Sequence, residues 1–144
     1  MSVALRVSIG LYCLVGLLFI LGGLNYVLRS EFMPYHAVAL NTSWMQVPGA
    51  YQALIRALMI GMGSGGCTAG ISVLALALVG LRKHTEWCRW TLPVIAGLHI
   101  ILGRYSSQQL YAVTSGGPPR AVTAVVGLLA LGAFLLSLLD RRRG

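Results

Sequence analysis

The sequence predicts an all-α polytopic membrane protein, an antiparallel bundle of four transmembrane helices forming one domain over residues 1–144. Three observations predict it. First, 57% of the residues are hydrophobic and only 10% are charged, where a soluble domain carries about 25% charged residues. Second, most charges stand at the ends of apolar runs. Third, those runs reach the roughly 20 residues that cross a bilayer core.

The first span covers about residues 7–28, between Arg6 and Arg29. A basic residue followed by an apolar run resembles a signal peptide. The run at 9–24 is long for one, however, and no A-x-A-like cleavage site follows it, so it reads as a retained first helix. Residues 29–50 form the outer loop, with Glu31, Pro34, Tyr35, His36, Trp44 and Pro48. Its middle, 35–40, is expected to form one or two turns at the interface, with Tyr35 and Trp44 at headgroup level. The second span covers 51–81, with Gln52 and Arg56 in its first turns and no charge from 57 to 81. The third covers 90–111, has Pro93 in its first turn, and carries His99 and Arg104. Residues 114–119 read Thr-Ser-Gly-Gly-Pro-Pro, a turn signal. The fourth span, 121–139, stops at Asp140 and the triplet Arg141, Arg142 and Arg143.

The net charge of +8 comes from 11 basic and 3 acidic residues. No segment offers the solvated basic face that nucleic acid requires. Arg6, Arg82, Lys83, Arg89 and the three terminal arginines fall on one side, whereas the opposite loops hold only Arg29 and Arg120. The positive-inside rule therefore places both termini and the loop between the second and third spans in the cytoplasm, with Trp87 and Trp90 at the inner interface. Cys13, Cys67 and Cys88 are odd in number and lack a C-x-x-C spacing, so no disulfide framework is implied. Cys88 is expected in the cytoplasmic loop and the other two within spans.

Glycines dominate the second span. Gly61/Gly65 and Gly66/Gly70 have the small-xxx-small spacing that lets helix backbones approach, and Gly16 and Gly23 lie one heptad apart in the first span. Helix packing is the expected role; room for a flat ligand is the alternative. Gln52 and Arg56 are four apart and share a helix face, as do Arg104 and Gln108. From the helical rise, Arg56 lies roughly 7 Å and Arg104 roughly 10 Å below the outer ends of their spans. Glu31 is the only acid on that side, so at least one arginine lacks a carboxylate. Two roles compete for this pair: snorkelling to headgroups, or joining Gln52, Gln108, His36 and Trp44 to bind the head group of an amphiphile, since an arginine fork suits phosphate or carboxylate.

His99 sits near the middle of the third span, where a hydrogen bond to a neighbouring helix is the expected role. Bis-histidine haem ligation lacks a partner, because His36 lies in the outer loop and His84 in the cytoplasmic one. Met33-x-x-His36 and Met59-x-x-Met62 offer soft ligands of the kind Cu(I) takes, but methionine at helical spacing is ordinarily packing, and no metal site is expected. No nucleophile and base pair, P-loop or dinucleotide fingerprint occurs.

The outer segment Phe32-Met33-Pro34-Tyr35-His36, with Ala39-Leu40, Trp44, Gln52 and Leu58-Met59, resembles a group of small four-helix bacterial membrane proteins of unassigned function. Glu86-Trp87-Cys88-Arg89-Trp90-Thr91-Leu92-Pro93 extends the resemblance, which covers the middle half of the chain. The chain is also loosely similar to the DoxX-like proteins, some of which accompany quinone-linked oxidoreductases. The resemblance implies a bacterial inner membrane location and brings no catalytic residues.

The expected function is a non-catalytic binding or accessory role. The chain would hold a lipid- or quinone-like amphiphile in an outer-leaflet pocket, or dock on a larger membrane complex. Arg56, Gln52, Arg104, Gln108, His36 and Trp44 are the candidate head-group residues and His99 the core polar residue. A quinone- or haem-linked redox subunit and a small homo-oligomeric transporter are the alternatives. The expected partners are membrane lipids, with a larger complex or further copies of the chain.

Overall fold

Helix α1 (Val3–Val27) starts at Ser2, whose hydroxyl accepts a hydrogen bond from the Leu5 amide at 3.2 Å. The computed structural model describes residues 1–141; Arg142, Arg143 and Gly144 lie outside the described residues, and with them two of the terminal arginines used to orient the chain. After α1 come a short helix α2 (Pro34–Leu40) and a single 3-10 turn at Trp44–Gln46. Helix α3 (Gly49–Ala75) runs without a break into a π-helical turn at Leu76–Leu81. Helices α4 (Glu86–Val113) and α5 (Arg120–Arg141) complete the chain, and no strand occurs among the described residues.

Three helices are long and apolar enough to cross a membrane: α1, α3 with its π turn (Gly49–Leu81), and α5 over Arg120–Asp140. Their outward faces are apolar, as Leu17, Leu21, Leu128 and Leu131 illustrate. The fourth expected span departs from this pattern. Helix α4 has the length, 28 residues, but Glu86, Arg89, Arg104, Gln108 and Gln109 thin its apolar run, and it is not among the three.

Helix α4 also begins one turn earlier than the sequence suggests, at Glu86 rather than near Trp90. Pro93 is therefore an interior residue. Its missing N–H leaves the Arg89 carbonyl without its helical donor. Cys88 and Arg89, expected in a cytoplasmic loop, are instead buried helical residues. Arg89 is only 4% exposed and donates to Glu86 one turn back at 2.7 Å. The Arg89 Nε and the hydroxyl of fully buried Tyr12 are buried polar atoms without a partner among the described residues.

Packing centres on α1 against α3. Gly63, Gly66 and Gly70 of α3 are buried against Gly16, Gly23 and their neighbours on α1. A Cβ at Gly63 would stand 2.5 Å from the Gly23 carbonyl oxygen, and one at Gly70 would stand 2.5 Å from the Gly16 carbonyl oxygen. The backbones are in direct contact, so α1 fills the space that a flat ligand was offered. Gly61 and Gly65 point elsewhere, and a Cβ there would meet nothing within 4 Å. Helix α5 packs on α1 as well, where the Ser8 hydroxyl donates to the Ala133 carbonyl at 2.7 Å.

Both chain ends and the turn between α3 and α4 meet at one end of the molecule. Asp140 on α5 lies beside Ser2 and 3.4 Å from His84. His84 closes the turn in a left-handed conformation, φ 54°. The opposite end carries α2, the 3-10 turn and the connection between α4 and α5.

Two predictions follow from close approach and from charge pairing. Gly61→Ala, with open space around it, should stabilise α3 by about 0.5–1 kcal/mol through reduced unfolded-state freedom. Gly63→Ala should cost about 1–3 kcal/mol, because the new methyl meets backbone. Thermal unfolding in detergent measures both, and equal effects would contradict this packing. Glu86→Ala should destabilise by roughly 1.5–3 kcal/mol by orphaning a buried cation, while exposed Glu31→Ala should stay within about 0.5 kcal/mol.

Candidate functional site

At the outer end, α2 lies over the gap between α1, α3 and α4. The chain turns at Phe32-Met33, both buried against Met59 of α3. Pro34 then opens α2 at a position where its missing N–H costs nothing. The first turn is closed by His36, whose Nδ1 accepts from the Met33 amide at 3.3 Å. The imidazole thus takes the place that Glu or Gln fills in an ordinary capping box. Asn41 ends α2 at φ 49°, a left-handed conformation that Asn tolerates.

Neighbouring segments fix α2 in place. Tyr35 and Tyr26 hydrogen-bond through their hydroxyls. Gly116, buried in the connection between α4 and α5, abuts α2 so closely that a Cβ would stand 2.5 Å from the Tyr35 carbonyl oxygen. That connection is held by the Tyr111 hydroxyl, which donates to the Pro118 carbonyl at 2.6 Å, and by Arg120 at 4.0 Å over the Tyr111 ring. Trp44 packs edge-on against Phe32 with centroids 5.1 Å apart, and Gln52 donates to the Trp44 carbonyl at 2.8 Å.

A cleft of about 310 Å³ remains beneath α2. Its walls are Ala39 and Leu40 of α2, Ile55, Leu58, Met59 and Met62 of α3, and Leu110 of α4. Tyr26 and His36 are the two polar side chains of the lining, and no charged residue belongs to it. Burial pushes the His36 pKa below the usual imidazole value of 6.5. Burial, reinforced by the bond to Tyr26, raises that of Tyr35, which keeps its proton.

The sequence-derived candidates separate here. His36 lines the cleft. Gln52 and Trp44 bind each other and shape the loop beside it. Arg56 is exposed on α3, Arg104 is half-buried on α4, and Gln108 is exposed on α4; none of the three lines the cleft. Equal depth along two helices leaves open where each side chain stands around its helix, and the expected cluster of arginines and amides is not formed. Glu31 makes no ion pair with either arginine; the pairs among the described residues are Arg89 with Glu86 and His84 with Asp140.

His99 meets α1 through its ring, 4.5 Å from the Phe19 centroid, and the expected interhelical hydrogen bond is not among those of the described residues. Met33 and Met59 are buried in the core that supports the cleft, and no group of three or more His, Cys, Asp or Glu side chains gathers among the described residues. Tyr26, Leu58, Met62 and Leu110 line the cleft without having been singled out as ligand-binding. The spacing of Ile55, Leu58, Met59 and Met62 is an i, i+3, i+4, i+7 face, and that signal was present in the sequence.

No protein-family model, curated protein or solved structure is detectably similar to the chain.

The His36 cap has a pH signature. The neutral ring accepts the Met33 N–H; a second proton on Nδ1 abolishes that acceptor. Because the folded pKa is depressed, the stabilisation is complete above 6.5 and is lost as pH falls through the lower folded value. In a Trp87→Phe, Trp90→Phe background, Trp44 fluorescence should be flat from pH 8 to about 7 and change below about 6. His36→Gln should flatten the curve, and a transition that survives it would assign the titration elsewhere.

Proposed function

We propose that the chain is a non-catalytic membrane protein that holds an amphiphile in the cleft beneath α2. On this reading α4 crosses the bilayer with the three more apolar helices, as an antiparallel four-helix bundle. Its most polar inner residue, Arg89, is neutralised by Glu86, and Arg104 lies within snorkelling distance of the outer surface. Both termini face the cytoplasm of a bacterial inner membrane, following the excess of Lys and Arg at the end where they meet.

The observation that carries the reading is the cleft of about 310 Å³, lined by seven apolar side chains and two neutral polar ones. A largely apolar concavity with few placed polar groups is the usual form of a small-molecule site. Tyr26, His36 and Leu40 give it an interfacial rim, and Met62 lies deeper along α3, so a polar head and an apolar tail both find their medium. Two methionines add an adaptable wall. Arg56 and Arg104, away from the cleft, are suited to the phosphates of surrounding lipids. The kinship suggested by Phe32–His36 and Glu86–Pro93, with small four-helix inner-membrane proteins and loosely with the DoxX-like group, fits this accessory role.

Docking beside a larger complex has its own support in Tyr105, Ser106, Gln108 and Gln109, which are exposed along the outer part of α4.

Native mass spectrometry of gently purified protein is expected to find a retained lipid or quinone, and Leu58→Trp, which fills the cleft, should release it. A wild-type protein that carries nothing, or a Leu58→Trp variant that retains the same mass, would overturn the reading.

A further inference from the structure

We propose that the cleft selects its amphiphile by a carbonyl oxygen, which accepts a hydrogen bond from the Nε2–H of His36. The inference rests on the cleft being an amphiphile site and names the chemistry it takes.

The proton inventory fixes the polarity of the site. A backbone N–H only donates, so the contact from the Met33 amide at 3.3 Å makes the His36 Nδ1 an acceptor. An imidazole with an accepting Nδ1 is neutral and carries its single proton on Nε2. The Nδ1 edge is committed to the first turn of α2, while the ring also lines the cleft. What His36 has left to offer a ligand is an N–H donor. The tyrosine pair acts in the same sense. When Tyr26 and Tyr35 bond to each other, one hydroxyl donates and the accepting one retains its own O–H. The cleft is therefore supplied with donors, and its side chains hold no carboxylate or amide to accept a hydrogen bond.

Ligand classes sort against that inventory. A phosphate or carboxylate would be stripped of water with no cation in the lining, at a cost of several kcal/mol. An ammonium would meet donors instead of acceptors. An alcohol can accept from Nε2–H, but its own O–H is then left unpaired against leucine and methionine. A carbonyl accepts and brings no donor of its own. The length of the cleft suits an attached chain: Ile55 and Met62 are two turns apart on α3, about 10 Å along the axis. The ester of a diacylglycerol and the ring carbonyl of an alkylated quinone both present this group above an apolar tail.

The test uses three probes of equal length, tridecane, 2-tridecanol and 2-tridecanone, titrated into full-length protein in detergent and followed by ligand-observed NMR. The ketone is expected to bind roughly five- to tenfold more tightly than the alkane, the value of one neutral hydrogen bond. The alcohol should gain less. His36→Phe should erase the ketone's advantage and leave alkane binding in place.

If wild type binds all three equally, the carbonyl assignment fails and the cleft reading stands. If wild type binds none, the cleft reading itself fails. Because His36→Phe also removes the α2 cap, imidazole 15N resonances of the wild-type protein provide a second measure: the proton should lie on Nε2, and an Nδ1-protonated ring would overturn the assignment. Parallel arms with a diacylglycerol and a decyl-substituted benzoquinone identify the source of the carbonyl, and a failure of both to outbind tridecane counts against the proposal.

Discussion

The contact on which the remaining architecture depends is the backbone approach of α1 to α3. Bringing two helices to the distance at which a glycine carbonyl touches the facing helix requires that no side chain intervene, and Gly16, Gly23, Gly63, Gly66 and Gly70 meet that requirement together. In an apolar medium there is no hydrophobic drive between helices, and dispersion over such a seam is a main source of association. The seam sets the positions of everything else. It places Phe19 where His99 of α4 can lie against it, and Tyr12 where α3, α4 and α5 close around it. It also ends near Val27 and Gly63, so the outer part of α3 extends beyond α1 and must be covered by something else. The loop segment α2 supplies that cover, incompletely, and the cleft is the remainder.

The two ends of the molecule solve opposite problems. Where the chain ends meet, charges are buried and matched: Arg89 with Glu86, and Asp140 with His84. Two of the three acidic residues in the chain are used there. At the other end the closing interactions are neutral, from aromatic edges, a tyrosine pair and a histidine cap, and the basic residues stand outside them. An anionic head group would find its natural partners on the rim, not in the cleft.

Much of the fold was legible because lipid-like surroundings make few demands on pattern. Charge-free runs between Arg6 and Arg29, and between Arg56 and Arg82, mark α1 and α3 to within a few residues. The start of α4 was not legible, because Glu86 and Arg89 look like loop residues until their pairing at i, i+3 removes the cost of burying the cation. The site was legible in part. His36 stood out as a titratable group in the outer loop, and it does line the cleft. Arg56 and Arg104 stood out for their depth, which says nothing of direction around the helix axis. The Tyr26 and Tyr35 pair could not be read, since it joins two elements whose relation depends on the seam.

The π turn at Leu76–Leu81 alters the meaning of α3 as a single rod. Its wider ring lets one face of the helix serve α1 above it while Ala77, Gly80 and Leu81 serve α1 and α4 below. One residue corresponds to about 100° of helical rotation. Shortening this turn by a single residue to an ordinary α-helical one would swing His84 and the root of α4 around the axis by that angle, while the outer two-thirds of α3 kept its place. The turn is thus the point at which the outer cleft and the charged inner end are mechanically separate, and a length change of one residue there is a change of orientation for half the molecule.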